Sequence, residues 1–462
     1  MKKATLYPTE ENIQKTFLND TLGRNDDLKN FIEILSSIED NYSIAIDSAW
    51  GSGKTFFVKQ LKMIFDANND YTYSSVENKE QILDKWKTLI DEDSGLCVNS
   101  NVTIYYDAWE NDNDYDPIYS LVYTIIQEID NEEGLQEKIE FSDILKVAGK
   151  ITGAIAGVNP EEILDSLNKG AFLDELKSKK AITANIKVFL DKILSEHGNR
   201  LIIIIDELDR CKPSFAVKLL EQIKHYFDND RIVFVFSVNL SELQHTIKHY
   251  YGFNFDAGKY LDRFFDLRIS LPPADISKFY QSIGYYCESS VTSNSINLVI
   301  KKYNMQLREI SKYVKITNAI TLAYKNTGYR PDVYLSYTFL HHAIFPFVIG
   351  LNITNPTKYR DFINGKDYSA LTEFYDNYET INNASYAIGL LYDGQNMIIS
   401  ERRQISDIQN ELKEFYQVFF NSTERKAIGK CIIDTEVRNY FSKVVSLLAQ
   451  GIVTQFTKLN EE

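Results

Sequence analysis

Gly51-Ser52-Gly53-Lys54-Thr55 follows the apolar run Ile44-Ala45-Ile46 and opens a stretch with helical spacing, Phe57, Leu61, Ile64 and Phe65 falling on one face. A glycine turn between a buried strand and a helix start is a phosphate cradle. Its glycines let successive N–H groups face an anion, Lys54 adds a point charge, and the Thr55 hydroxyl suits a Mg²⁺ ion. The helix N-terminus aims its positive end at the same place. One position departs from G-x-x-x-x-G-K-[ST]: Ser48 stands where the first glycine belongs.

A second constellation complements the first. Arg200-Leu201-Ile202-Ile203-Ile204-Ile205 is a β-branched run of the kind buried on both faces of a parallel sheet, and it ends in Asp206-Glu207-Leu208-Asp209-Arg210. Carboxylates at that strand end emerge where open α/β sheets bind ligands. Asp206 is placed to hold Mg²⁺ with Thr55, and Glu207 to polarise an attacking water. Asp209 and Arg210 read equally well as a solvated charged turn.

With these segments in order, the chain resembles the KAP family of P-loop NTPases, soluble prokaryotic type, related to AAA+ proteins. The resemblance rests on Ala49 to Thr55, Tyr105-Tyr106-Asp107-Ala108-Trp109-Glu110, Asp206 to Cys211, Phe234-Val235-Phe236-Ser237-Val238-Asn239 and Tyr260 to Pro272, and it covers roughly residues 20 to 320. It implies an additional strand in the sheet and ATP with Mg²⁺ as cofactors. Trp50, Gly51, Ser52, Gly53, Lys54, Thr55 and Phe56 are the expected nucleotide contacts. Lys54, Glu207 and Asn239 are the expected catalytic groups, although the family often shows an acid where Asn239 stands. Arg263, just before the last strand, resembles an arginine finger, or else it pairs with Asp262 or Asp266. Arg268, inside the strand, is the weaker candidate. Arg308, in Asn304 to Tyr313, resembles a lid arginine that reaches the γ-phosphate, or else it is a surface arginine.

The elements that must position these groups follow from the pattern. Residues 1–40 read as a polar arm and a helix. Strands are expected at Tyr42 to Asp47, Val102 to Ala108, from Leu201, at Arg231 to Val238 and at Asp266 to Leu271, with helices from Pro117 and over Pro213 to Phe227. The fold class is α/β, a three-layer P-loop NTPase sandwich on a mostly parallel sheet, followed by a helical lid and a helical C-terminal domain. The NTPase domain spans 41–273 with a helical insertion at about 131–197, the lid 274–325, and a recognition or assembly domain 326–462.

Composition narrows the classes further. The formal charge of −15 disfavours a broad nucleic-acid or anionic-membrane surface. Cys97, Cys211, Cys287 and Cys431 show no paired spacing, so neither a disulfide framework nor a zinc site is expected. His245 and His249 lack the glutamate of H-E-x-x-H, and His341-His342 are adjacent, so ligation is not expected there. Lys177 to Lys180 and Glu424 to Lys430 read as solvated helix faces. Many family members carry transmembrane helices between the two motifs, but Ile144 to Val158 contains Lys146 and Lys150 and is short for a span, as is Phe339 to Leu351. No transmembrane segment and a cytoplasmic location are therefore expected.

The reading is a Mg-ATP-dependent hydrolase acting as a molecular switch, ATP being favoured over GTP because N-K-x-D is missing. Family members take part in defence against phage and plasmids, so the resemblance implies that setting. A homo-oligomer and an effector protein are the expected partners. The alternatives are a nucleotide-holding assembly scaffold with little turnover and an AAA+-like DNA-remodelling ATPase.

Overall fold

Period-two burial explains the centre of the molecule. In the computed structural model, Ile202 and Ile204 pack into one apolar core with Ile44, Ile46, Val233 and Val235, while Ile203 and Ile205 enter a second core with Phe234 and Phe236. A strand apolar on both faces must lie between two helical layers, and it does. The structure describes residues 7–69, 78–90, 98, 101–114, 116–130, a few positions between 186 and 194, 198–227, 229–282, 291–325, 330–391 and 404–449. The expected insertion, its apolar stretch Ile144 to Val158, Lys177 to Lys180, Cys97 and Cys287 lie outside the described residues, apart from those few positions.

Among the described residues, five parallel strands form the sheet: β1 Tyr42–Asp47, β2 Asn101–Asp107, β3 Arg200–Asp206, β4 Ile232–Val238 and β5 Leu267–Ser270. Their order is β2-β3-β4-β1-β5. The outcome matches the expected class, with strand ends displaced by one residue at β2, β3, β4 and β5. β4 separates the strand that carries the phosphate loop from the strand that carries the acids, pairing Ala45 with Phe236 on one side and Ile205 with Phe236 on the other. Both motifs therefore open at the same, carboxyl end of the sheet.

The N-terminal stretch forms two helices where one was expected, Glu10–Leu18 and Asn25–Ser37. Asp20 at φ 48° and Gly23 at φ 64° turn the chain between them, and no right-handed helix runs through such angles. A helix absent from the sequence reading, Lys79–Leu89, buries Ile82 and Trp86.

Two compact units emerge, one formed by Tyr7–Lys278 and the other by the chain after Lys278. In the second, Gly350 allows close helix contact: a Cβ there would meet Val299 Cγ1 at 2.4 Å, so helix Val291–Lys302 approaches helix Phe345–Thr354 only across a glycine. Aromatic contacts fill this core, Phe339 against Phe415 at 4.7 Å and Phe419 against Phe441 at 5.1 Å. Arg438 donates to the carbonyls of Val418, Phe419, Thr423 and Glu424, closing the C-terminus of helix Ile405–Asn421.

Two sequence readings are corrected in this unit. Lys426–Ile428 is a strand, not a helix face; it pairs antiparallel with Cys431–Ile433 through a two-residue loop opening on Gly429 at φ 53°. The apolar segment at Phe339 to Leu351 is also longer than its composition indicated. Helix Tyr334–Phe339, a π turn at Leu340–Ile344 and helix Phe345–Thr354 run on from Pro331, and this 24-residue stretch is long and apolar enough to cross a membrane by length and composition alone. The π turn lets it continue past Pro346, whose ring would clash with a regular preceding turn. An 18-residue window of it is 83% buried in the structure, as a core helix is.

Candidate nucleotide site

Gly51 at φ 81° and Gly53 at φ 96° occupy the left-handed region, and Gly53 caps helix Lys54–Asn68. Ser48 does not: among the described non-glycine residues, positive φ occurs at Asp20, Asn78, Glu207 and Asn304. A serine therefore replaces the motif's first glycine without backbone strain. Its N–H donates to Val238 O at 3.2 Å, which ties the cradle to the end of β4.

Lys54 is 8% exposed. Its ammonium donates to Ser48 O at 2.5 Å and Ala49 O at 3.2 Å. Burial lowers its pKa, and Asp209, Asp206, Glu207 and Asp47 act against that fall. Phe56 turns into the core, so only its backbone can serve a ligand.

Asp206, 1% exposed, accepts a hydrogen bond from Tyr105 Oη at 3.0 Å, and its Oδ1 accepts the Glu207 N–H at 3.0 Å. Burial pushes its carboxyl up, while the hydroxyls of Ser237, Thr55 and Tyr105 pull it back. A buried carboxylate beside a threonine hydroxyl is a hard-oxygen pair that gains from a cation. Among the described residues no cluster of three acidic, histidine or cysteine ligands exists. Two protein oxygens completed by phosphate and water is how Mg²⁺ is commonly held, so Thr55 and Asp206 fit it.

Glu207 sits at φ 61°. Its N–H also reaches Ser237 O at 3.3 Å, and these backbone bonds hold it in a conformation that few non-glycine residues adopt. Burial and the neighbouring Asp206 push its carboxyl up to about 7, against the pull of Arg210, whose Nε lies 2.6 Å from Glu207 Oε2. Asn239 ends β4 between the two motifs. Its Oδ1 caps helix Leu240–Tyr251 by accepting the Glu242 N–H at 3.4 Å, so its NH₂ is the group left for a phosphate or water. Asp47 Oδ1 accepts the Leu240 N–H at 2.8 Å, joining the ends of β1 and β4.

Lys54, Thr55, Asp206, Glu207 and Asn239 are thus brought to one sheet end. Arg263 is not among them. It lines a cavity with Asn41, Ser43 and Asp266, at the amino end of the sheet. Asp262 pairs with Arg268 at 2.5 Å and Asp266 accepts the Ser43 N–H at 2.9 Å, so both of the acids named for Arg263 are engaged elsewhere. Arg308 is exposed on helix Leu307–Lys325 of the other unit.

Sequence reasoning missed several residues of this site. Arg24, 3% exposed, donates to Ser52 O at 2.9 Å and to Pro272 O at 2.5 Å, fastening the phosphate loop to the chain after β5. Tyr105, Asp47 and Trp109 were also given no role. Asp107 Oδ1 accepts the Trp109 and Glu110 N–H groups at 3.1 Å, a turn that sets Trp109 beside Arg210. The D-x-W-E spacing after β2 was the available signal for that turn.

A parallel sheet with this order, a glycine phosphate loop on β1 and paired acids on β3 defines a P-loop NTPase domain. The family model for the KAP family P-loop domain matches residues 24–324, and the chain belongs to that family. An uncharacterized protein of Methanocaldococcus jannaschii is 29% identical over 171 residues, covering 29% of this chain and 88% of that protein. Among solved structures, the Aeropyrum pernix ORC2 protein in ADPNP–ADP complexes aligns over 92% of this chain and 95% of its own, at 11% identity and a TM-score of 0.32.

Proposed function

We propose that the protein is a Mg-ATP-dependent hydrolase that works as a molecular switch, its helical unit reading out the nucleotide state. The observation that carries this reading is the convergence of Lys54, Thr55, Asp206 and Glu207 at the carboxyl end of β1 and β3. The backbone of Gly51 to Thr55 and the Lys54 ammonium would bind the β- and γ-phosphates. Mg²⁺, when bound, neutralises charge on those phosphates. Glu207 would orient water in line with the γ-phosphate, and Tyr105 would hold the Asp206 carboxylate in place.

Family membership supports ATP as the nucleotide and a prokaryotic defence setting against phage or plasmids. A homo-oligomer with an effector partner in the cytoplasm is the arrangement we infer. DNA remodelling is the weaker alternative, because the net charge of −15 opposes a broad phosphate-binding face. The assembly scaffold with slow turnover draws on one specific contact, the ion pair that Arg210 makes with Glu207.

Calorimetry tests the cradle. Lys54→Ala is expected to weaken Mg-ATP binding at least about tenfold while leaving the fold intact. Unchanged affinity would remove the assignment. Phosphate release measured with and without DNA then separates hydrolase, scaffold and remodeller.

A further inference from the structure

Arg210 is left without a task by the hydrolytic reading, yet three separate segments are arranged around it. Its guanidinium lies 5.7 Å from the Trp50 ring centroid and 5.5 Å from that of Trp109. Trp50 belongs to the phosphate loop, Trp109 to the turn after β2, and Arg210 to the short helical turn Leu208–Arg210 after β3. Both indoles are exposed, Trp50 by 44% and Trp109 by 53%, so core packing does not account for them. Each is also fixed by a carboxylate: Trp50 Nε1 donates to Asp209 Oδ2 at 2.5 Å, and the Asp107 turn holds the Trp109 backbone. Two tryptophans facing one arginine make a clamp for a cation.

The cation they hold rests on the carboxylate that hydrolysis requires. With Arg210 Nε at 2.6 Å, one oxygen of Glu207 is occupied and its charge is offset, and a carboxylate so engaged orients water poorly. The clamp is also connected to the cradle. The Lys54 ammonium is bonded to Ser48 O and Ala49 O, the two carbonyls directly before Trp50. Phosphate in the loop competes for that ammonium, and its transfer frees the backbone that carries Trp50.

We propose that the Trp50–Arg210–Trp109 stack is a latch, in which Arg210 is a positioning residue that holds Glu207 back from hydrolysis until filling of the phosphate loop loosens Trp50. This rests on the Mg-ATP hydrolase reading above. It adds a built-in delay between binding and turnover, which a switch needs if its ATP state is to last.

The test removes Trp109, which touches Arg210 but lies outside the proposed nucleotide contacts. Trp109→Ala and Arg210→Met are each expected to raise the kcat of Mg-ATP hydrolysis about three- to tenfold, with KM changed less than about twofold. Adding Trp109→Ala to Glu207→Gln should leave the rate of the Glu207→Gln variant unchanged, so that the gain appears only where that carboxylate is present, whereas a three- to tenfold gain in that background would overturn the route through Glu207. A spectroscopic readout accompanies the kinetics. The chain has three tryptophans, and Trp86 is buried, so Trp109→Phe leaves Trp50 as the responsive one. Mg-ATP should change its emission, and Arg210→Met in that background should shrink the change to the part that nucleotide contact alone produces, whereas an undiminished change would overturn the release of Trp50 from Arg210. An equal or lower kcat in both variants overturns the latch while Lys54-dependent binding keeps the nucleotide site. Binding that does not depend on Lys54 overturns both. Because Trp109 is half exposed, its removal takes nothing from the core, and it decides the question even where Arg210→Met is unstable.

Discussion

Adjacent carboxylates at the end of β3 differ because their surroundings differ. Asp206 is enclosed by hydroxyls and held to the backbone, which suits an inert ligand; Glu207 is turned out by its left-handed backbone. Glu207→Gln is expected to keep Mg-ATP bound and slow hydrolysis by orders of magnitude, whereas Asp206→Asn should also lose Mg²⁺ dependence in binding. Single-turnover phosphate release with parallel binding isotherms reads both, and a parental rate in Glu207→Gln would move the water-orienting role to another group such as Asn239. Arg24 contributes differently. It donates two hydrogen bonds to backbone carbonyls from a buried position, and burial lowers its pKa to about 10. Arg24→Met leaves those carbonyls unpaired, at a cost of about 1–3 kcal/mol. The expected outcome is a lower unfolding temperature together with weaker Mg-ATP binding, because the Ser52 peptide loses its anchor. Unaltered binding in a destabilised variant would confine Arg24 to a structural role.

Elements here are joined by caps and turns as much as by strands. Asp47 and Asn239 cap the same helix, Leu240–Tyr251, from the ends of β1 and β4, so the groove between these strands has a fixed floor. In the helical unit, the π turn places His341 inside an aromatic cluster, with Nε2 2.7 Å from Tyr440 Oη. Burial, helped by the neighbouring His342, depresses the His341 pKa to about 3. The folded state therefore binds fewer protons here than the unfolded chain, whose histidine titrates near 6.5. The stability this difference contributes is present above about pH 6.5 and is lost as pH falls toward 3, with a slope approaching about 1.4 kcal/mol per pH unit for one proton. Calorimetric scans between pH 7 and 4 should show the helical transition falling, and His341→Phe should flatten that dependence. An identical pH slope in the variant would assign the acid sensitivity to other groups, the half-buried His342, whose pKa burial also lowers, or carboxylates.

On the scale of the whole molecule, Arg263 stands at the opposite end of the sheet from its own phosphate loop. Its guanidinium makes no ion pair among the described residues, and Asp262 and Asp266 are bonded elsewhere. An arginine so placed acts on phosphate only if the phosphate belongs to a second copy. Arg263→Ala is expected to bind Mg-ATP normally and hydrolyse it poorly. Mixing it with Lys54→Ala should restore part of the activity, since one intact cradle then meets one intact arginine, and light scattering should show ATP-driven self-association. Efficient hydrolysis by a chain that stays monomeric with ATP would exclude the arrangement.

The sequence by itself determined the strands and the phosphate loop, because both are written locally. β-branched runs buried on two faces need no distant information, and Gly51 and Gly53 mark left-handed turns wherever the chain goes. The carboxylates at the end of β3 were legible for the same reason. Only the tertiary structure decided what stands between and around them. Sheet order depends on packing among segments far apart in the chain, so β4 entering between β1 and β3, and Asn239 with it, rests on the fold. Arg24 reaches Ser52 across 28 positions and Pro272 across 248, and no spacing rule connects them. Arg210 looked like a solvated charge until Trp50 and Trp109, from two other loops, closed on it: a cation's partners are chosen by proximity in space, which a local pattern does not encode.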